Sequence, residues 1–114
     1  MEFRDIQKLV YQPYKKNGFE QKWNDAEKIL KDSNKPELAG MIVLAELMLS
    51  VTEQAEAAEE IRNTDKKKFA LELAGLIIRA LNIATRKNID LEPLIIAETN
   101  RNMNRPILHG RTMI

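Results

Sequence analysis

Apolar positions recur at helical spacing along nearly the whole chain, and no stretch alternates as a half-buried strand would. Phe3, Ile6, Leu9, Val10 and Tyr14 share one side of a first helix over 2–16, and Pro13 predicts that it kinks or ends near Gln12. Asn17-Gly18 predicts a stop. Trp23, Ala26, Ile29 and Leu30 predict a second helix from Glu20 to Lys31. Asp32-Ser33-Asn34-Lys35-Pro36 reads as a turn, with Ser33 or Asn34 placed to cap the next helix. The longest helix is expected from Glu37 to about Arg62. Asn63-Thr64-Asp65 breaks it and caps a third long helix from about Asp65 to Lys87. Asn88 ends that helix, Asp90 caps its successor, and Pro93 fits the first turn there. This last helix is expected to reach about Asn104, before Pro106 and Gly110 open an irregular basic tail. The pattern predicts an all-α antiparallel bundle of four to five helices, forming one domain over residues 1–114.

Within the longest helix, LAGMIVLAELML is apolar on nearly every side, the mark of a helix enclosed by partners. A chain of 114 residues can hardly surround such a helix alone, so a homodimer or homotetramer is expected. Composition narrows the picture further. A 44% hydrophobic content with only 5% aromatic residues suits an Ala/Leu/Ile-rich helical bundle. The net charge of +1 argues against nucleic acid as a partner and offers an anionic membrane no global attraction. The absence of cysteine removes disulfide and thiol chemistry and suits a cytoplasmic protein. The charged start MEFRDIQKLVYQ is no secretory signal, and no run approaches the roughly 18 apolar residues of a membrane span. A soluble protein is expected.

The candidate chemistry lies at the junction of the two long helices. Between Pro36 and Ile61 there are six Glu (37, 46, 53, 56, 59 and 60) and no Lys or Arg. Residues three and four apart share a helical face, so Glu53, Glu56 and Glu60 form a carboxylate ridge. Such a ridge needs a cation, either Lys or Arg from another helix or a divalent metal with a preference for carboxylate oxygen, such as Mg²⁺ or Mn²⁺. On the next helix Glu72, Gly75, Arg79, Asn82 and Arg86 fall in one narrow stripe that an antiparallel pairing would turn toward the ridge. Arg79 could neutralise the ridge from inside the protein. Gly75 could serve only to let two helices approach closely.

Glu53-x-x-Glu56, a short break and Glu72-Leu73-Ala74 resemble the paired acid motif of the MazG-like all-α nucleoside triphosphate pyrophosphatases. Asn102-x-x-Arg105-Pro106-x-x-His109-Gly110 resembles the tail of small members, and the similarity covers roughly residues 38–111. The resemblance implies a pyrophosphohydrolase that converts a (d)NTP to a (d)NMP and pyrophosphate with Mg²⁺ or Mn²⁺. It implies Glu53, Glu56 and Glu72 as catalytic metal ligands and Asn102 and Arg105 near the phosphates, with Arg101 as a further donor. Glu59 matches a recurrent family acid and is a possible accessory, with Arg79 and Asn82. The chain departs from the family at three places. Gly75 stands at the fourth acid, Asn82 at a further Asp, and Thr99 at a frequent Lys. The alternative implied by these departures is a catalytically inactive helical oligomer that binds a nucleotide or a protein. Two more features bear on a ligand. Phe19 and Trp23 could form a stacking wall for a base or simply pack, and Arg101, Arg105, His109 and Arg111 could grip phosphate or form a basic C-terminus.

Overall fold

In the computed structural model, which describes residues 1–106, every regular element is helical. Helix α1 (Phe3–Lys16) starts with a reciprocal capping box between Glu2 and Asp5. It continues through Pro13, so of the expected kink or end near Gln12 the end does not occur. Proline removes one hydrogen bond from the helix interior. Here the turn beyond it is anchored from outside, because the Tyr14 ring lies 5.1 Å from that of Tyr11 and its hydroxyl donates to Glu46. Asn17 closes the helix with its N–H on the Pro13 carbonyl at 2.9 Å, and Gly18 takes the left-handed φ of 88° that lets the chain reverse.

Helix α2 (Phe19–Lys31) ends at Asp32. Ser33 and Asn34 do not cap the next helix. The Ser33 hydroxyl instead accepts from the Lys35 N–H at 3.1 Å, and a single 3₁₀ turn, Pro36–Ala39, precedes α3 (Gly40–Arg62). Helix α4 (Lys66–Arg86) is capped by the Asp65 side chain, which accepts from the Lys68 N–H at 3.0 Å. Asn88, with φ of 59°, turns the chain into α5 (Leu91–Met103), which Asp90 caps at the Glu92 N–H.

Helices α3 and α4 form the main antiparallel pair, with Glu46 opposite Arg86 and Glu53 opposite Arg79. Helix α1 lies along α4. Gln7 fixes it there, donating to the Thr85 hydroxyl at 3.1 Å and the Ile89 carbonyl at 2.8 Å while accepting from the Leu91 N–H. The centre of this arrangement is unusual. The buried apolar residues are Ala39, Ala57, Leu81 and Ala84, and they share the interior with Gln7, Glu27, Glu46, Asn82 and Arg86. The large apolar side chains lie elsewhere. Met41, Leu44, Met48 and Val51 line the side of α3 away from α4, and Leu94, Ile95 and Ile96 stand on α5, all of them exposed.

The segment Pro36–Arg62 bears on the expected lack of a membrane span without deciding it. Over 18 residues its mean hydropathy reaches 1.4, long and apolar enough to cross a membrane by length and composition. An unbroken apolar run is absent because Glu46 interrupts it. That glutamate is 4% exposed and paired with Arg86, which ties the middle of the segment to the polar interior.

A candidate metal centre and its cleft

Glu53 and Glu56 stand one turn apart on α3, and Glu72 faces them from the first half of α4. One carboxylate oxygen from each lies within 4.8 Å of the other two. The expected convergence of Glu53, Glu56 and Glu72 is therefore present. Two ligands on opposite sides of Mg²⁺ are about 4.2 Å apart, twice its usual bond length. Three carboxylates at this spacing could hold a divalent cation, and exposed acidic groups of this kind also occur without one.

The electrostatics reflect the crowding. Hydrogen bonding to Glu56, and next to Glu53, pushes the Glu72 carboxyl up to about 7, so it keeps its proton well above the ordinary carboxylate range. Glu53 moves the other way. Arg79 holds it below the usual range through an Nε–H bond to its Oε1 at 2.9 Å. The internal neutralisation that the α4 stripe allowed thus applies to Glu53, while Glu56 and Glu72 have no Lys or Arg against them among the described residues.

Gly75 makes this arrangement possible. A Cβ at position 75 would sit 2.7 Å from Glu53 Oε2 and 3.1 Å from its Cδ. Glycine leaves the space through which Glu53 folds over α4 and reaches Arg79. This role differs from the close helix packing that the sequence also allowed, because the group filling the space is a carboxylate rather than backbone.

A broad cleft of about 1010 Å³ opens beside the acid cluster. Tyr14, Phe19 and Trp23 form one wall and Leu49, Ile78 and Ile83 the other, with Glu53, Gly75 and Arg79 at one part of its lining. The Tyr14 and Phe19 rings stack at 5.8 Å between centroids, and Lys22 covers the Trp23 ring at 5.1 Å. Phe19 and Trp23 thus do form part of a ligand-sized wall. Asn82 and Glu46 also line the cleft.

Behind the cleft lies a charged network that the sequence did not disclose. Arg86, whose side chain is 1% exposed, donates from Nε to Glu46 Oε1 at 2.9 Å. Its Nη1 donates to Asn24 Oδ1 at 3.0 Å and lies 2.7 Å from Glu27 Oε1. Burial alone would raise the Glu27 carboxyl, but Arg86 and Lys87 together hold it below its ordinary value. Burial, reinforced by the bond to Glu46, pushes the Tyr14 hydroxyl up, so it remains a donor. Removing one partner from such a buried ionic cluster typically costs about 3–5 kcal/mol. The signal for it was Arg86 at the end of the polar stripe that carries Glu72, Arg79 and Asn82 on the same helix. Its partners come from two other helices, so spacing along the chain could not identify them.

The remaining candidates lie apart from the acid cluster. Glu59 pairs with Arg62 on its own helix at 3.2 Å and does not join the three ligands. Arg101 pairs with Glu98 on α5, Asn102 is exposed on the same helix, and Arg105 follows its end. None of the three lines the cleft within one chain. Thr99 donates to the Ile95 carbonyl at 2.7 Å. His109 and Arg111 lie outside the described residues. Comparison of the chain with protein-family models, with curated proteins and with solved structures finds no match.

Proposed function

We propose that the chain is a MazG-like nucleotide pyrophosphohydrolase that converts a (d)NTP to the monophosphate and pyrophosphate with Mg²⁺ or Mn²⁺, acting as a homodimer or homotetramer. The observation that carries this reading is the meeting of Glu53, Glu56 and Glu72 from two helices beside a cleft of nucleotide size. These carboxylates would hold the ion, which when bound polarises the phosphate linkage and lowers the pKa of an attacking water. Glu72, held protonated up to about 7 by its carboxylate neighbours, would have to give up its proton for the cluster to hold a cation. Phe19 and Trp23 offer flat apolar surface to a base, and the cleft walls exclude water from one side of the sugar. Arg101, Asn102 and Arg105 would reach the phosphates only from a second copy of the chain, since their own copy holds them away from the cleft.

One observation favours the second reading, a catalytically inactive oligomer that binds a nucleotide or a protein. Arg79 already neutralises one of the three ligands. Pyrophosphate release from a panel of NTPs and dNTPs, with Mg²⁺ or Mn²⁺, separates the two. Metal-dependent release that drops at least a hundredfold in Glu56→Gln is the expected result. No release from any nucleotide, together with retained nucleotide binding, supports the inactive module.

A further inference from the structure

Arg79 joins the acid cluster to the cleft. Its guanidinium uses only Nε on Glu53, and its two terminal nitrogens have no protein partner among the described residues. Arginine carries five N–H donors in a planar fork that matches phosphate oxygens two at a time. The side chain is 39% exposed and lines the cleft, so the unused part of the fork is open to a ligand there. The Glu53 carboxylate reaches Arg79 over the surface of Gly75, where any larger residue would intrude on it.

We propose that Arg79 is a positioning residue with two partners: it holds Glu53 in the resting protein and transfers to a ligand phosphate when a divalent cation recruits Glu53. This inference rests on the pyrophosphohydrolase reading, because it takes the acid cluster as a cation site and the ligand as a nucleoside polyphosphate. The physical cause is competition. One carboxylate cannot keep a short bond to a guanidinium and also serve a divalent ion at full strength, and the ion repels the guanidinium. The displaced fork stays on the cleft wall, where the negative charge of a polyphosphate compensates it. The metal and the phosphate therefore bind cooperatively through a single side chain, with each removing an obstacle to the other.

The test uses Mn²⁺ and a non-hydrolysable α,β-imido NTP, with affinities read by electron paramagnetic resonance and calorimetry, so that no turnover is needed. In Arg79→Gln, Mn²⁺ alone should bind about two- to fivefold more tightly, as expected for loss of a partly exposed competing ion pair. The analogue, in the presence of Mn²⁺, should bind at least tenfold more weakly. Gly75→Ala provides the complementary case. Its Cβ displaces Glu53 from Arg79 but leaves the guanidinium intact, so Mn²⁺ should again bind more tightly while analogue affinity is kept or raised. Arg79→Lys, with charge but no fork, should fall between wild type and Arg79→Gln for the analogue. If Arg79→Gln weakens Mn²⁺ and analogue binding together, Arg79 merely braces Glu53 and the inference is wrong. Unchanged analogue affinity in Arg79→Gln overturns it as well. If wild-type protein binds no Mn²⁺, the metal-site reading fails with it, whereas Mn²⁺ binding that neither variant alters sinks this inference alone.

Discussion

Glu72 and Glu53 show how two identical side chains a few ångströms apart acquire opposite properties. Glu72 meets other carboxylates, and sharing a hydrogen bond with Glu56 keeps its proton to about pH 7. Glu53 meets Arg79 and stays ionised below the ordinary range. The consequences for stability have opposite signs. An unfolded glutamate releases its proton near pH 4.3, whereas folded Glu72 retains it to about 7. In that interval the folded state binds more protons than the unfolded chain, so metal-free stability should fall as pH rises from about 5 to 7 and then level off. Glu53 acts at the acid end: its contribution is present above the usual carboxylate range and is lost as pH falls through its depressed value. Thermal unfolding without divalent ions, measured between pH 5 and 8, reads the first effect. Glu72→Gln should flatten the profile, and a wild-type profile that is already flat would show that Glu72 is not crowded by its neighbours.

The α3–α4 pair carries the site because its antiparallel register sets Glu53 against Gly75 and Arg79 while Glu46 meets Arg86. In that register the Glu46–Arg86 pair is buried and the Glu53–Arg79 pair is partly exposed. Gly75→Asp tests the pairing at the level of the two helices. The new side chain would press on the Glu53 carboxylate, break its bond to Arg79 and add a fourth negative charge. Against this, aspartate is a better helix former than glycine by only a few tenths of a kcal/mol. The metal-free variant should therefore lose about 1 kcal/mol, within the ordinary range for a single substitution. Excess Mg²⁺ should reverse the sign, since a fourth carboxylate that binds the ion about tenfold more tightly than wild type is worth about 1.4 kcal/mol relative to wild type once both are saturated. Denaturant titrations with and without Mg²⁺ read both values. Equal destabilisation in the two conditions would mean that position 75 matters for packing alone.

The proposed homodimer or homotetramer would cover apolar surface that a single chain leaves exposed. The apolar outer side of α3 and the exposed Leu94, Ile95 and Ile96 of α5 supply the surface to be covered. Sedimentation at micromolar concentration should find a dimer or tetramer. A double substitution on the outer side of α3, Leu44→Glu with Met48→Glu, should shift it to monomer by placing charges in the interface. A wild-type monomer would contradict the proposed assembly and leave this surface to another partner.

Periodicity alone determined the all-helical class, because a 3.6-residue apolar pattern cannot be satisfied by a strand. Local chemistry also determined most helix ends: Gly18 and Asn88 could adopt left-handed backbone, and Asp65 and Asp90 could cap. At Pro13 the expected helix end does not occur, and Tyr14 in the turn beyond it is held by Glu46 on α3. The acid spacing marked Glu53, Glu56 and Glu72 as candidates, since residues on one helical face are fixed by the helix itself. Only tertiary structure decided which of the two available cations each acid met. Arg79 took Glu53 and Arg86 took Glu46, while Glu72 was left against Glu56 and Glu53 and holds its proton up to about 7. That division depends on the relative shift of two helices and on the missing side chain at Gly75. It is a matter of ångströms between chain segments, which no spacing along one segment encodes.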